Sequence, residues 1–128
     1  MTKAKLKTIE KRSDCPLSCT LDLVGDKWSL LIIRDMMLFE KTTYNEFLAS
    51  NEKIATNILK DRLISLTEKG LITYTGTAKR KKYKLTSLGM ELKPIIEAIA
   101  NFGLKNFPKS KIYTQKQMKA KGKALANS

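Results

Sequence analysis

The chain contains no histidine, only two cysteines, three prolines and a single tryptophan in 128 residues. Without histidine it lacks the commonest metal ligand and the commonest general base. Two cysteines alone cannot complete a structural zinc site. No glycine-rich phosphate loop is present and no general base stands ready for Cys15, so enzymatic chemistry is not expected. No apolar run approaches the roughly 18 residues a transmembrane helix needs, so a membrane is not an expected partner. The opening residues lack the apolar core of a secretory leader, and with so few cysteines the expected setting is reduced and cytoplasmic. Positive charge, by contrast, is plentiful: 25 Lys and Arg against 12 Asp and Glu leave a formal net charge of +13. That excess points to a polyanion, nucleic acid before an anionic membrane. With 42% apolar residues the chain can fill the core of one domain without disulfide, metal or cofactor.

The excess charge is concentrated. Residues 15–74 are close to neutral, whereas residues 75–84 carry five cations and no acid, and residues 109–128 carry six lysines and no acid. The expected organisation is a basic, loosely ordered arm over 1–14, one folded domain over 15–108, and a Lys-rich tail over 109–128 without stable order. A solvated surface would account for either end. The internal cluster is more informative, because its flanks have the pattern of strands.

Pro16 suits a first helical position, where its missing N–H has no partner to lose. Leu17, Leu21 and Val24 follow at helical spacing, and Gly25 stops that helix. Asp26 caps a second helix over about 27–38. Its Trp28, Leu31, Ile32, Met36 and Phe39 are apolar on nearly all sides of Arg34 and Asp35, the profile of the most buried helix. Thr43-x-x-Glu46 is a capping box that opens a short third helix over about 44–50, with Tyr44, Phe47 and Leu48 behind it. Residues 50–52 read as a turn. A fourth helix over about 55–69 carries Leu59, Leu63 and Leu66 on one face and ends at Gly70. The period then falls to two: Ile72 and Tyr74, then Tyr83 and Leu85, alternate with polar residues. Joined by residues 76–81, they make a β-hairpin with a cationic tip. Thr86 caps a last helix over about 87–107, with Leu88, Leu92, Ile95, Ile96, Ile99 and Phe102 as its stripe. Pro94 should kink or break it.

The expected fold is mainly α with a small β-hairpin: a short helix, a tight turn and a longer helix make a helix-turn-helix, and the hairpin makes it winged. The physics suits double-stranded DNA. A helix fits the major groove, and lysines and arginines at a hairpin tip displace counterions from phosphates. Opposite its leucine face the fourth helix presents Asn57, Lys60, Asp61 and Ile64, with Thr56 at the edge. Asn can pair with adenine, Lys with guanine, and a Thr methyl can meet that of thymine. Lys79, Arg80, Lys81 and Lys82 are the candidate phosphate contacts. A solvated polar helix face is the plainer reading of the fourth helix alone; the basic hairpin behind it favours DNA.

Cys15-Pro16-Leu17, Leu21, Val24 and Gly25-Asp26-Lys27-Trp28 resemble the opening of HxlR-type bacterial transcription regulators. Tyr44-Asn45-Glu46-Phe47-Leu48, Ile54 with Leu59, Arg62-Leu63, Glu68-x-Gly70-Leu71-Ile72 and Tyr83-x-Leu85-Thr86-x-x-Gly89 extend the resemblance over about residues 15–107. It implies a winged helix that acts as a homodimer on operator DNA, joined through the first and last helices, with recognition by the fourth helix and the wing. The sequence departs from the family at Ala55, where a Ser is usual and a hydroxyl cap is lost, and at Phe102, which stands for a late Trp. Lys81 and Lys82 also make its wing more uniformly basic.

The stripe of the last helix is longer than a small core can cover, which also points to a two-fold homodimer. Its expected interface is Leu17, Leu21, Leu92, Ile95, Ile96, Ile99 and Phe102. Some family members sense electrophiles or oxidants through a cysteine at the position of Cys15. A thiol at a helix start feels the positive end of the dipole, which favours thiolate. The plainer reading makes Cys15 a weak cap and Cys19 a small buried hydrophobe. The expected function is therefore a sequence-specific DNA-binding regulator on an inverted-repeat operator, with Cys15 as candidate sensor. The alternative is a basic RNA-binding or ribosome-associated protein, against which the core-like placement of the aromatics argues.

Overall fold

Asp26 shows how local chemistry starts the architecture. In the computed structural model, which describes residues 12–107, helix α1 (Pro16–Val24) ends at Gly25, and the Asp26 carboxylate accepts the Ser29 amide at 2.9 Å to open α2 (Lys27–Phe39). The Thr43 capping box opens α3 (Tyr44–Leu48): Glu46 accepts the Thr43 amide while Thr43 accepts the Glu46 amide. Helix α4 (Thr56–Glu68) begins after Ala55, which gives it no side-chain cap, and ends before Gly70, whose φ of 78° only glycine adopts freely. Strands β1 (Ile72–Thr75) and β2 (Lys82–Leu85) pair antiparallel, with Ile72 opposite Leu85 and Tyr74 opposite Tyr83.

The expected last helix is two helices. Thr86 caps the single turn α5 (Ser87–Met90), and α6 (Lys93–Asn106) starts afresh with Pro94 in its first turn. A proline there gives up no hydrogen bond, whereas inside a continuous helix it would clash with the preceding turn. Gly89 lets α5 lie against the backbone of Leu71, just ahead of β1, because a Cβ would stand 2.2 Å from the Leu71 carbonyl oxygen.

The core gathers Ile32, Ile33 and Met36 of α2, Phe47 of α3, Leu59, Leu63 and Leu66 of α4, Leu71 and Ile72 at the start of the hairpin, and Leu92 and Ile96. The last two correct the expected interface. Leu92 is 5% and Ile96 8% exposed, because they are the residues with which the last helix packs on its own chain. Leu17, Leu21, Ile95, Ile99 and Phe102 do lie on the surface. Asp35 is the charged residue of this interior. An acidic residue in a largely apolar helix, it is 2% exposed. It accepts from Arg34 Nε and Nη2 at 3.0 and 2.6 Å and from the Ser50 hydroxyl.

The basic arm through residue 11 and the tail over 109–128 lie outside the described residues. Arg12 and Ser13, at the inner end of the arm, are tied to α1: Arg12 pairs with Asp22 at 3.1 Å, and Ser13 accepts the Cys15 amide at 3.2 Å. Among the described residues no helix is long and apolar enough to cross a membrane.

Candidate nucleic-acid interface

Helix α4 is held by its leucines and by polar ties at both ends. Leu59, Leu63 and Leu66 are buried. The Tyr44 hydroxyl donates to the Thr56 carbonyl at 3.2 Å, setting the start of α4 against α3. The turn between them is anchored below. Ser50 reaches Asp35, and Arg34 forks onto the Glu52 carboxylate at 2.8 and 2.9 Å. Hydrogen bonding to Arg34 outweighs burial and holds the Glu52 carboxyl below its ordinary value. With the buried side fixed, Thr56, Asn57, Lys60, Asp61 and Ile64 are all exposed on α4, as expected.

The hairpin is fixed to the same unit. The Tyr83 amide donates to the Thr42 carbonyl at 2.7 Å, pinning β2 to the residue that precedes the α3 cap. The Tyr83 ring meets Phe47 edge-on at 6.2 Å and Tyr74 at 5.6 Å. The hairpin thereby stands across from α4, and a groove of about 620 Å³ opens between them. Lys60 and Ile64 line one side of it, and Lys79, Arg80, Lys81 and Lys82 the other. Such a groove, with cations on both walls, focuses positive potential where a polyanion would lie.

The wing cations are not equivalent. The Lys81 ammonium sits 4.3 Å from the centre of the Tyr74 ring, so part of its charge is spent on a cation–π contact. Lys79, Arg80 and Lys82 are exposed. Asp61 is also engaged: its carboxylate accepts from Arg62 Nη1. Thr56, Asn57 and Asp61 lie on the helix beyond the groove, while Thr43, Tyr44 and Asn45 at the start of α3 line it. Those three were missed in the sequence. The capping box locates them at a helix start, but only the packed hairpin shows that they line the same groove as Lys60.

A family model described as HxlR-like helix-turn-helix matches residues 23–111. The chain belongs to the HxlR-like helix-turn-helix family. This HxlR-type transcriptional regulator is similar to the HTH-type transcriptional regulator sll1512 of Synechocystis sp., with 30% identity over 92 residues, 70% of this chain and 67% of the relative. Among solved structures it is similar to PA1607, a transcription-factor candidate, at 36% identity and a TM-score of 0.68, covering 80% of this chain and 73% of that one. It is similar also to the redox regulator HypR in its reduced form, at 27% identity and a TM-score of 0.62, covering 72% and 93% of the two chains.

In this HxlR-type chain Cys15 is the N-cap residue of α1 and is exposed. The amides of Ser18 and Leu17 lower its thiol from the ordinary value of 9.0, which raises the thiolate fraction. Cys19, one turn on, is half-buried, and its thiol donates to the Ser13 carbonyl at 3.3 Å.

Proposed function

We propose that this regulator binds an inverted-repeat operator as a homodimer, and that modification of Cys15 alters that binding. The observation that carries the DNA reading is the α4–hairpin groove, where Lys60 and Ile64 of the exposed α4 face share one opening with a row of hairpin cations. The dimer reading rests on exposed apolar side chains. Leu17 is 68% exposed on α1 and Phe102 66% on α6, with Leu21, Ile95 and Ile99 beside them. Large exposed apolar patches mark association surfaces. Two-fold symmetry would then place two α4 helices about one DNA turn, roughly 34 Å, apart.

The Cys15 reading is supported by its exposure and its lowered pKa. It is supported also by the likeness to HypR, which is named a redox regulator and solved in reduced and oxidised forms. Oxidation or alkylation at the start of α1 would act on a helix that also carries Leu17 and Leu21. A shift of about 1.4 kcal/mol in the coupling changes operator affinity tenfold.

The test is gel-shift titration on the DNA upstream of the gene, against random duplex and structured RNA, with light scattering of the free protein. The expected result is a dimer that protects paired half-sites and loses or changes binding on diamide treatment, with Cys15→Ser insensitive. A monomer of 14.5 kDa would refute the dimer. Equal binding to structured RNA would refute the operator reading. A Cys15→Ser protein that still responds to diamide would make Cys15 structural.

A further inference from the structure

Helix α4 carries two basic residues and its C-cap is a third, and the three divide by direction. Lys60 faces the groove. Arg62 and the cap residue Lys69 turn the other way, to the corner where α1 ends and α2 begins. Arg62 Nε donates to the Asp26 carboxylate at 2.9 Å, and Lys69 Nζ donates to the Leu23 carbonyl at 3.0 Å. Asp26 is also the N-cap of α2, bonded to the Ser29 amide. Burial alone would raise its carboxyl, but hydrogen bonds from Ser29 and Arg62 outweigh it and hold it below its ordinary value.

At about 100° per residue, positions 62 and 69 fall within roughly 20° of one another on the α4 wheel. Asn57, Lys60 and Ile64 cluster about 160–220° away, on the opposite side. The two ties therefore grip α4 from behind its exposed reading face, about 10 Å apart along the axis at 1.5 Å per residue. Two points so spaced fix a helix's tilt, not merely its position. Both anchor within residues 23–26, the exit of the helix that carries Leu17 and Leu21.

We propose that Arg62 and Lys69 are positioning residues for operator recognition: they clamp α4 to the α1–α2 corner, so that the arrangement of the two α1 helices in a dimer sets the spacing at which two α4 helices meet DNA. This deepens the dimeric-operator reading and rests on it. The pair itself is partly exposed, with Arg62 at 30% and Asp26 at 37%. Ion pairs of that exposure contribute little to stability. Its consequence is geometric: α4 without the clamp keeps its leucine packing but is freer to rock on it.

The experiment compares the wild type, Arg62→Met with Lys69→Met, and Arg62→Lys. The probes are a duplex bearing the inverted repeat that the wild type selects from a random pool, the same duplex with one base pair inserted or removed between half-sites, and a single half-site. The wild type should prefer its own spacing by about tenfold. The double methionine variant should bind the three spacings within about twofold of one another. Its thermal midpoint, dimer mass and single half-site affinity should stay near wild type, and Arg62→Lys should retain part of the preference. Ratios between duplexes of nearly equal length cancel the loss of two charges. A double variant that keeps the wild-type ratio overturns the clamp. So does one that weakens on all probes alike, which would make the ties merely structural. A wild type that selects no paired half-sites overturns the dimeric reading first, and the clamp with it.

Discussion

Replacing Asp35 with alanine should detach the helix-turn-helix from its support. The carboxylate is 2% exposed and takes three donors: Arg34 Nε at 3.0 Å, Arg34 Nη2 at 2.6 Å and the Ser50 hydroxyl. The Lys41 ammonium lies 3.7 Å away. Removing one partner of a buried ion pair costs about 3–5 kcal/mol, because the other charge is left without compensation. Here the residue left behind is not stranded. Arg34 keeps both bonds to Glu52, at 2.8 and 2.9 Å, and Lys41 keeps its 3.0 Å bond to Ser50. The expected loss is therefore at the lower end, about 3 kcal/mol. For a domain of this size that corresponds to roughly 12–24 °C in Tm. Urea unfolding followed by circular dichroism measures it, with an unchanged m-value marking a true loss of stability. Ser50→Ala alone should cost about 1–2 kcal/mol. The double variant should cost less than the sum, because both changes remove the same bond. An Asp35→Ala protein within about 0.5 kcal/mol of wild type, or costs that simply add, would refute the view that this carboxylate anchors the turn.

Single alanine substitutions at Lys79, Arg80 or Lys82 should weaken binding equally on operator and random DNA and lower the salt slope by about 1 each. Lys81→Ala should do less, since that ammonium already rests on Tyr74; titrations at several salt concentrations separate them. Asn57→Ala should cost about 1–3 kcal/mol on operator and relax preference at one base pair, read by competition among single-base variants. Asp26 and Glu52 are held below their ordinary values of 3.8 and 4.5. The unfolded chain therefore takes up protons first, and their stabilisation, complete above that range, is lost as pH falls through the folded values. Melting curves should show Tm nearly flat between about pH 6 and 7.5, since no histidine titrates there, and falling at acidic pH; an Arg62→Met variant should fall less steeply. Gly89→Ala should destabilise by about 1–3 kcal/mol, measured by urea unfolding, because its Cβ must displace the Leu71 carbonyl or α5.

The elements of this chain were legible because each is set by neighbours in sequence. Pro16, the Asp26 cap, the Thr43 box and Gly70 mark boundaries through bonds spanning a few residues, and the leucine spacing of α4 names its buried side without reference to anything else. From those boundaries followed the winged helix-turn-helix, the exposed face of α4 and the cationic hairpin tip. What the sequence could not decide were contacts between residues far apart in the chain. Nothing in the α2 pattern distinguishes an aspartate facing water from one folded under Ser50, fifteen residues on. The stripe of α6 looks uniform, yet packing on α2 takes Leu92 and Ile96 inside and leaves Ile99 and Phe102 outside. Arg62 and Lys60 are both cations on one helix. Only the arrival of Asp26 behind α4, 36 residues away in sequence, turns one inward and leaves the other to the groove. Periodicity and capping are local and can be read along a chain, whereas burial and charge pairing depend on which distant segment closes over each side chain, and that is settled only when the helices pack.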